Sequence, residues 1–147
     1  MSHIVGFVCG AFDLFHPGQN ILLRECKSRC DFLIVGLHTN PQIDRPTKNK
    51  PVQSIYERYV QLNNSKWVDD IIPYDTEEDL KNLLATVPIN IRFLGEDYLG
   101  ANITGYDLCN QLNIDIVYIK RRHTYSSSDL RNRVEKARSI LWSRRCN

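Results

Sequence analysis

No apolar run in the 147 residues approaches the roughly 20 needed to span a bilayer. The chain does not open with the basic-then-apolar pattern of an export signal either. These two absences predict a soluble, cytoplasmic protein. Charge of one sign is also scarce. The 19 Lys and Arg against 17 Asp and Glu leave +2, which gives no bulk electrostatic case for nucleic acid. The nearest thing to a basic tract is Arg131, Arg133, Lys136, Arg138, Arg144 and Arg145, which at helical spacing reads as a solvated face. Cysteine offers no metal pattern: Cys9, Cys26, Cys30, Cys109 and Cys146 are odd in number and fit no zinc spacing. They are expected as reduced, partly buried thiols, with Cys26 facing the core. No carboxylate cluster marks a dedicated metal site. Repeats, low-complexity tracts and linkers are lacking too, so residues 1–147 are expected to form a single domain. A hydrophobic content of 42% excludes a disordered chain.

What is present is an alternation. Continuous apolar runs at Ile4–Val8, Phe32–Leu37, Val68–Pro73, Ile91–Leu94 and Ile114–Ile119 read as strands buried on both faces. Between them lie helical patterns. Pro17–Cys30 is amphipathic, Ser54-x-x-Glu57 is a capping box opening a helix to about Ser65, and Thr76–Asp79 opens another to about Ala85. A short helix spans Gly105–Leu112, and Ser126–Ser128 caps a last one reaching about Trp142. The pattern predicts an α/β fold: a Rossmann-like, doubly wound, parallel five-stranded sheet with helices on both faces. Such sheets bind ligands at the carboxyl ends of their strands, where strand order reverses. Residues 38–51 are polar, carry three prolines and form a long loop of the kind that often serves function.

The stretch GAFDLFHPGQ, residues 10–19, lies between the first strand and the first helix. A strand, a small-residue loop and a helix start in that order make a phosphate site. Backbone N–H groups at the helix N-terminus lack partners, and the helix dipole adds positive charge. Gly10 and Gly18 allow close backbone approach. Pro17 suits the first helical position, where no N–H is needed. His16 at the mouth can hydrogen-bond or neutralise a phosphate oxygen near neutral pH. On spacing alone it is as readily a core or solvent-exposed histidine.

GAFDLFHPGQ resembles the nucleotidylyltransferase signature, in which a small residue, Phe and Asp precede a His-x-Gly-His. The match is closest to the cytidylyltransferases of the glycerol-3-phosphate and ethanolamine-phosphate type. FLIVGLHT (32–39), ERYVQLNNSKWVDDIIPY (57–74), FLGEDY (93–98) and KRRHTYSSSDLR (120–131) match further motifs in order, over nearly the whole chain. Gln19 stands where the family has its second histidine, and Ala11 where it often has a hydroxyl.

The resemblance implies nucleotidyl transfer, with site roles carried position by position. His16 matches the first signature histidine, at the triphosphate. Gln19 takes the second place, where its amide can donate a hydrogen bond but cannot carry charge. Lys48 and Lys50 lie where the family has lysines reaching the triphosphate; each also reads as a solvated loop lysine. Arg121 with Ser126, Ser127 and Ser128 matches the motif that forms a second phosphate cradle. Gly10, Ala11, Phe12 and Gly18 complete the loop. Gly95 and Glu96 end the fourth strand, near base and ribose. Asp13 either meets the acceptor or stabilises the turn, and Lys66 lies near the acceptor and a dimer contact.

A phosphate monoester is already anionic, so the chemistry needs positioning and charge neutralisation more than a base. The resemblance implies CTP, a small alcohol phosphate (glycerol 3-phosphate first), Mg²⁺ accompanying the triphosphate, and a homodimer. An adenylyltransferase using ATP shares the same signature. A nucleotide-binding protein with weak or no catalysis is the reading that Gln19 motivates, since losing a charged donor at a developing oxyanion costs on the order of two to three decades in rate.

Overall fold

The computed structural model describes residues 2–146. Five strands, β1 (Val5–Gly10), β2 (Phe32–His38), β3 (Asp70–Tyr74), β4 (Ile91–Gly95) and β5 (Asp115–Ile119), form one sheet in the order β3-β2-β1-β4-β5. Every pairing is parallel. The helices are α1 (Pro17–Lys27), α2 (Ile55–Asn63), α3 (Glu77–Thr86), α4 (Tyr106–Gln111) and α5 (Ser127–Arg145). The expected α/β class is therefore the observed one. Helix ends differ from the expectation by up to three residues: α1 stops at Lys27, before Cys30, and α5 continues past Trp142 to Arg145. End turns fray, and apolar spacing does not mark them.

Successive strand residues point to opposite faces, so the sheet carries two cores. One holds Val8, Leu33, Val35 and Phe93 under Leu23 and Cys26 of α1 and Leu62 of α2. The other holds Phe7 and Ile34 under Leu80 and Leu84 of α3 and Cys109 of α4. Helix starts follow the capping signals. The Glu57 amide donates to Ser54 Oγ at 3.2 Å, and the Asp79 amide to Thr76 Oγ1 at 3.1 Å. All five cysteines are free, and Cys26 is buried. Among the described residues no helix is long and apolar enough to cross a membrane.

Strand order reverses between β1 and β4. These two strands pair only at Gly6 with Ile91 and Phe7 with Arg92, whereas β1 pairs with β2 along six residues. Beyond Phe7 and Arg92 the neighbours separate, and a crevice opens toward Gly10 and Gly95. This is the place where a doubly wound sheet holds ligands.

Candidate active site

The crevice continues into a cavity of about 520 Å³. Gly10, Ala11, Phe12, Asp13, His16, Gly18, Gln19, Lys48, Gly95, Glu96, Arg121, Ser126 and Ser127 line it. Lys50, Lys66 and Ser128 do not. Lys66 instead lies over the ring of Trp67, 4.6 Å from its centre, and Trp67 packs on the core. Phe12 is a core residue, with its ring against Gly10.

His16 is the N-cap of α1. Its Nδ1 accepts the Gly18 amide at 3.1 Å. An accepting Nδ1 carries no proton, so the neutral ring holds its hydrogen on Nε2 as a donor. Burial lowers the His16 pKa from its ordinary value, and nearby His123 and Arg121 lower it further. The ring is thus neutral at pH 7.

Gln19 is placed differently from the expectation. Its Oε1 accepts the His16 amide at 3.2 Å, and its Nε2 donates to the Asp13 carbonyl at 3.3 Å. Those bonds close the capping box and hold the loop, leaving one amide hydrogen for a ligand. The space at Gly18 is filled as well. A Cβ there would collide with Cε1 of His123, so the missing side chain admits an imidazole of this chain rather than leaving open room. Nδ1 of His123 is buried and has no partner. His123 lies within KRRHTYSSSDLR, but a lone histidine inside that stretch carries no spacing signal of its own.

Asp13 is 5% exposed and spends its carboxylate on this chain. Its oxygens accept the Val52 amide at 2.9 Å, the Gln53 amide at 2.9 Å and Arg131 Nη2 at 2.5 Å. Of the two roles weighed for it, this is the turn-stabilising one. Phe12 and Leu14 on either side hold φ of 49° and 50°, which bulky residues rarely adopt. Arg131 is correspondingly not part of a solvated basic face. Arg58, 2% exposed, adds a second brace: its guanidinium donates to the carbonyls of Ala11, His38, Thr39 and Gln53. It fixes the ends of β1 and β2 to the start of α2.

The start of α5 reaches the same loop. Ser126 Oγ accepts the Asp129 amide at 3.0 Å, and Ser127 Oγ donates to the Asp13 carbonyl at 2.7 Å. Residues at two helix N-termini and the His16 ring therefore line one cavity, where the positive ends of the helix dipoles favour anions. Arg121 lies at the rim, donating to the Tyr125 carbonyl at 2.6 Å and 3.7 Å from an Asp97 oxygen. Among the described residues no group of three or more His, Cys, Asp or Glu side chains could hold a metal ion.

Comparison with known proteins gives the family and the fold. The bifunctional protein HldE of Caulobacter sp. strain K31 is 33% identical over 133 residues, 88% of this chain and 27% of HldE. The chain thus spans about a quarter of the length of that relative. Among solved structures, the lipopolysaccharide core biosynthesis protein of Thermoplasma volcanium shares the fold with a TM-score of 0.65 and 24% identity, covering 85% of this chain and all of that one. Pantoate–β-alanine ligase of Francisella tularensis, solved with beta-gamma ATP and beta-alanine, matches at a TM-score of 0.57 and 20% identity, over 83% of this chain and 60% of the ligase. A family model described as cytidylyltransferase-like matches residues 7–133. The chain belongs to the cytidylyltransferase-like family.

Proposed function

We propose that the chain transfers a cytidylyl group from CTP to a small phosphorylated alcohol, releasing pyrophosphate. The observation that carries this reading is the shared cavity under two helix N-termini, with the Nε2–H edge of His16 available as a donor. A phosphate oxygen of the acceptor attacks the α-phosphorus, and the bond to the pyrophosphate oxygen breaks. The attacking group is already anionic, so no side chain has to remove a proton. His16 donates to a phosphate oxygen, and the positive ends of the α1 and α5 dipoles favour the anion. Lys48 and Arg121 at the cavity add mobile charge, Arg121 by giving up Asp97. Gly95 and Glu96 border the end for base and ribose. Mg²⁺ would arrive with the triphosphate, held by its oxygens and water.

The test follows pyrophosphate during incubation with CTP or ATP and a panel of phosphorylated alcohols. Release that His16→Ala abolishes is expected with CTP and glycerol 3-phosphate. No release with either nucleotide would leave a binding protein in place of an enzyme. Adenylyl transfer is a second reading, favoured by a ligase of this fold that was solved with beta-gamma ATP. Calorimetric titration with each triphosphate separates the two.

A further inference from the structure

Helix α5 is anchored to the rest of the protein at its start. Ser127 and Arg131 line the cavity and bond to Asp13, and Leu130 is half-buried. From Asn132 to Arg145 every residue is exposed, a rod of about 20 Å. A helix of that length is marginal in water without something to pack on. Its apolar residues are in part aligned. Leu130, Val134, Ala137 and Leu141 are spaced four, three and four apart, which sets them in one line along the helix. Val134 is 68% exposed and Leu141 61%. This is the seam of a helix pair with one helix in place.

The charges beside the seam select its occupant. One edge is a row of arginines seven apart, Arg131, Arg138 and Arg145, and Arg133 stands on the other edge. Arg131 is spent on Asp13, and Arg133 lies 3.6 Å from Asp129. Arg138 and Arg145 have no ion pair among the described residues. Glu135, the one carboxylate side chain beyond Asn132, lies off the seam. These charges reject a second copy of the helix. Parallel pairing would set Arg138 against Arg133 of the other copy, and antiparallel pairing would set the arginine row against itself. A lipid surface fits no better. An interfacial helix needs a broad apolar face with its charges opposite, and here arginines border a narrow line. We propose that the outer part of α5 docks an acidic amphipathic helix of another protein. Its apolar residues close on Val134, Ala137 and Leu141, and its flanking Glu or Asp side chains meet Arg138 and Arg145. None of these five residues lines the cavity, so the proposal does not depend on the transfer reading.

The test titrates synthetic helical peptides into the whole chain by calorimetry. One peptide carries Leu along its seam and Glu at both edges; the control carries Lys in place of Glu. The acidic peptide should bind one to one at micromolar concentration and more weakly as salt is raised, and the basic control should not bind. Val134→Asp should abolish binding. Arg138→Glu combined with Arg145→Glu should weaken the acidic peptide at least about tenfold and admit the basic one. All three positions are exposed, so these variants should keep the thermal midpoint of the wild type. No binding of the acidic peptide, or equal binding of both peptides, overturns the proposal. Sedimentation equilibrium and vesicles of phosphatidylglycerol test the rivals. Self-association that Val134→Asp abolishes would make a second copy the occupant, and vesicle binding in place of peptide binding would make it a lipid surface. Either result overturns the acidic helix.

Discussion

Asp13 Oδ2 lies 2.5 Å from Nη2 of Arg131, a residue 118 positions away. This contact ties the first loop of the chain to its last helix. It also holds the loop that carries His16 in a shape its own residues disfavour, with Phe12 and Leu14 at positive φ. Removing the carboxylate leaves two backbone amides and a guanidinium unmet. Asp13→Ala is expected to lower stability by about 3 kcal/mol, measured by urea denaturation. Arg131→Met should cost less, because Arg131 is partly exposed. Equal, negligible costs for both would show that the contact does not hold the loop.

The depressed His16 pKa gives a pH prediction with a definite sign. The folded protein resists protonation of this ring more than the unfolded chain does, because burial disfavours the charged ring and His123 and Arg121 lie near it. Its contribution to stability is full above the unfolded value of 6.5 and is lost as pH falls below it. The urea midpoint should therefore drop between pH 7.5 and 5.5 by more in the wild type than in His16→Asn. NMR titration should place the His16 midpoint below 6.5 in the free protein and raise it when a triphosphate binds. A free-protein midpoint above 6.5 contradicts the cap geometry.

Gly18 and His123 should be coupled. Gly18→Ala drives a methyl group into the His123 ring, at an expected cost of about 1–3 kcal/mol with weakened nucleotide binding. Adding His123→Ala should recover part of that loss. A double-mutant cycle reads the coupling, expected to exceed about 0.5 kcal/mol. Additive effects would place the ring elsewhere.

Gln19→His is expected to trade stability for rate. An imidazole cannot reproduce the planar amide that bridges His16 and Asp13, so loss of the capping box should cost about 1 kcal/mol. Turnover should rise, since a second ring able to carry charge faces the phosphates. A slower variant of full stability would remove the argument from Gln19.

Arg58→Lys tests the remaining brace. One ammonium cannot reach four carbonyls spread over two strand ends and a helix start. An expected loss of about 2–3 kcal/mol, from buried carbonyls left unmet, is read from the thermal midpoint and calorimetric enthalpy.

Local chemistry determined much of this protein by itself. Five apolar runs, Ser54 before Glu57, Thr76 before Asp79 and Pro17 after His16 specify strands and helix starts through short-range sterics and capping bonds. The strand, loop and helix start across residues 10–19 follow from the same local rules. Gln19 was legible as a departure but not as half of a capping box, since either use of an amide looks alike in sequence. Only the folded chain decided which charges serve the cavity. Arg92, a cation inside an apolar strand, and Glu77, one of three acidic residues opening a helix, are ordinary locally; the fold sets both on the wall of one cavity. Asp13 meets Arg131, and His123 covers Gly18, for the same reason. Pairing across more than a hundred residues depends on how a sheet is wound, and no short-range preference encodes the partner.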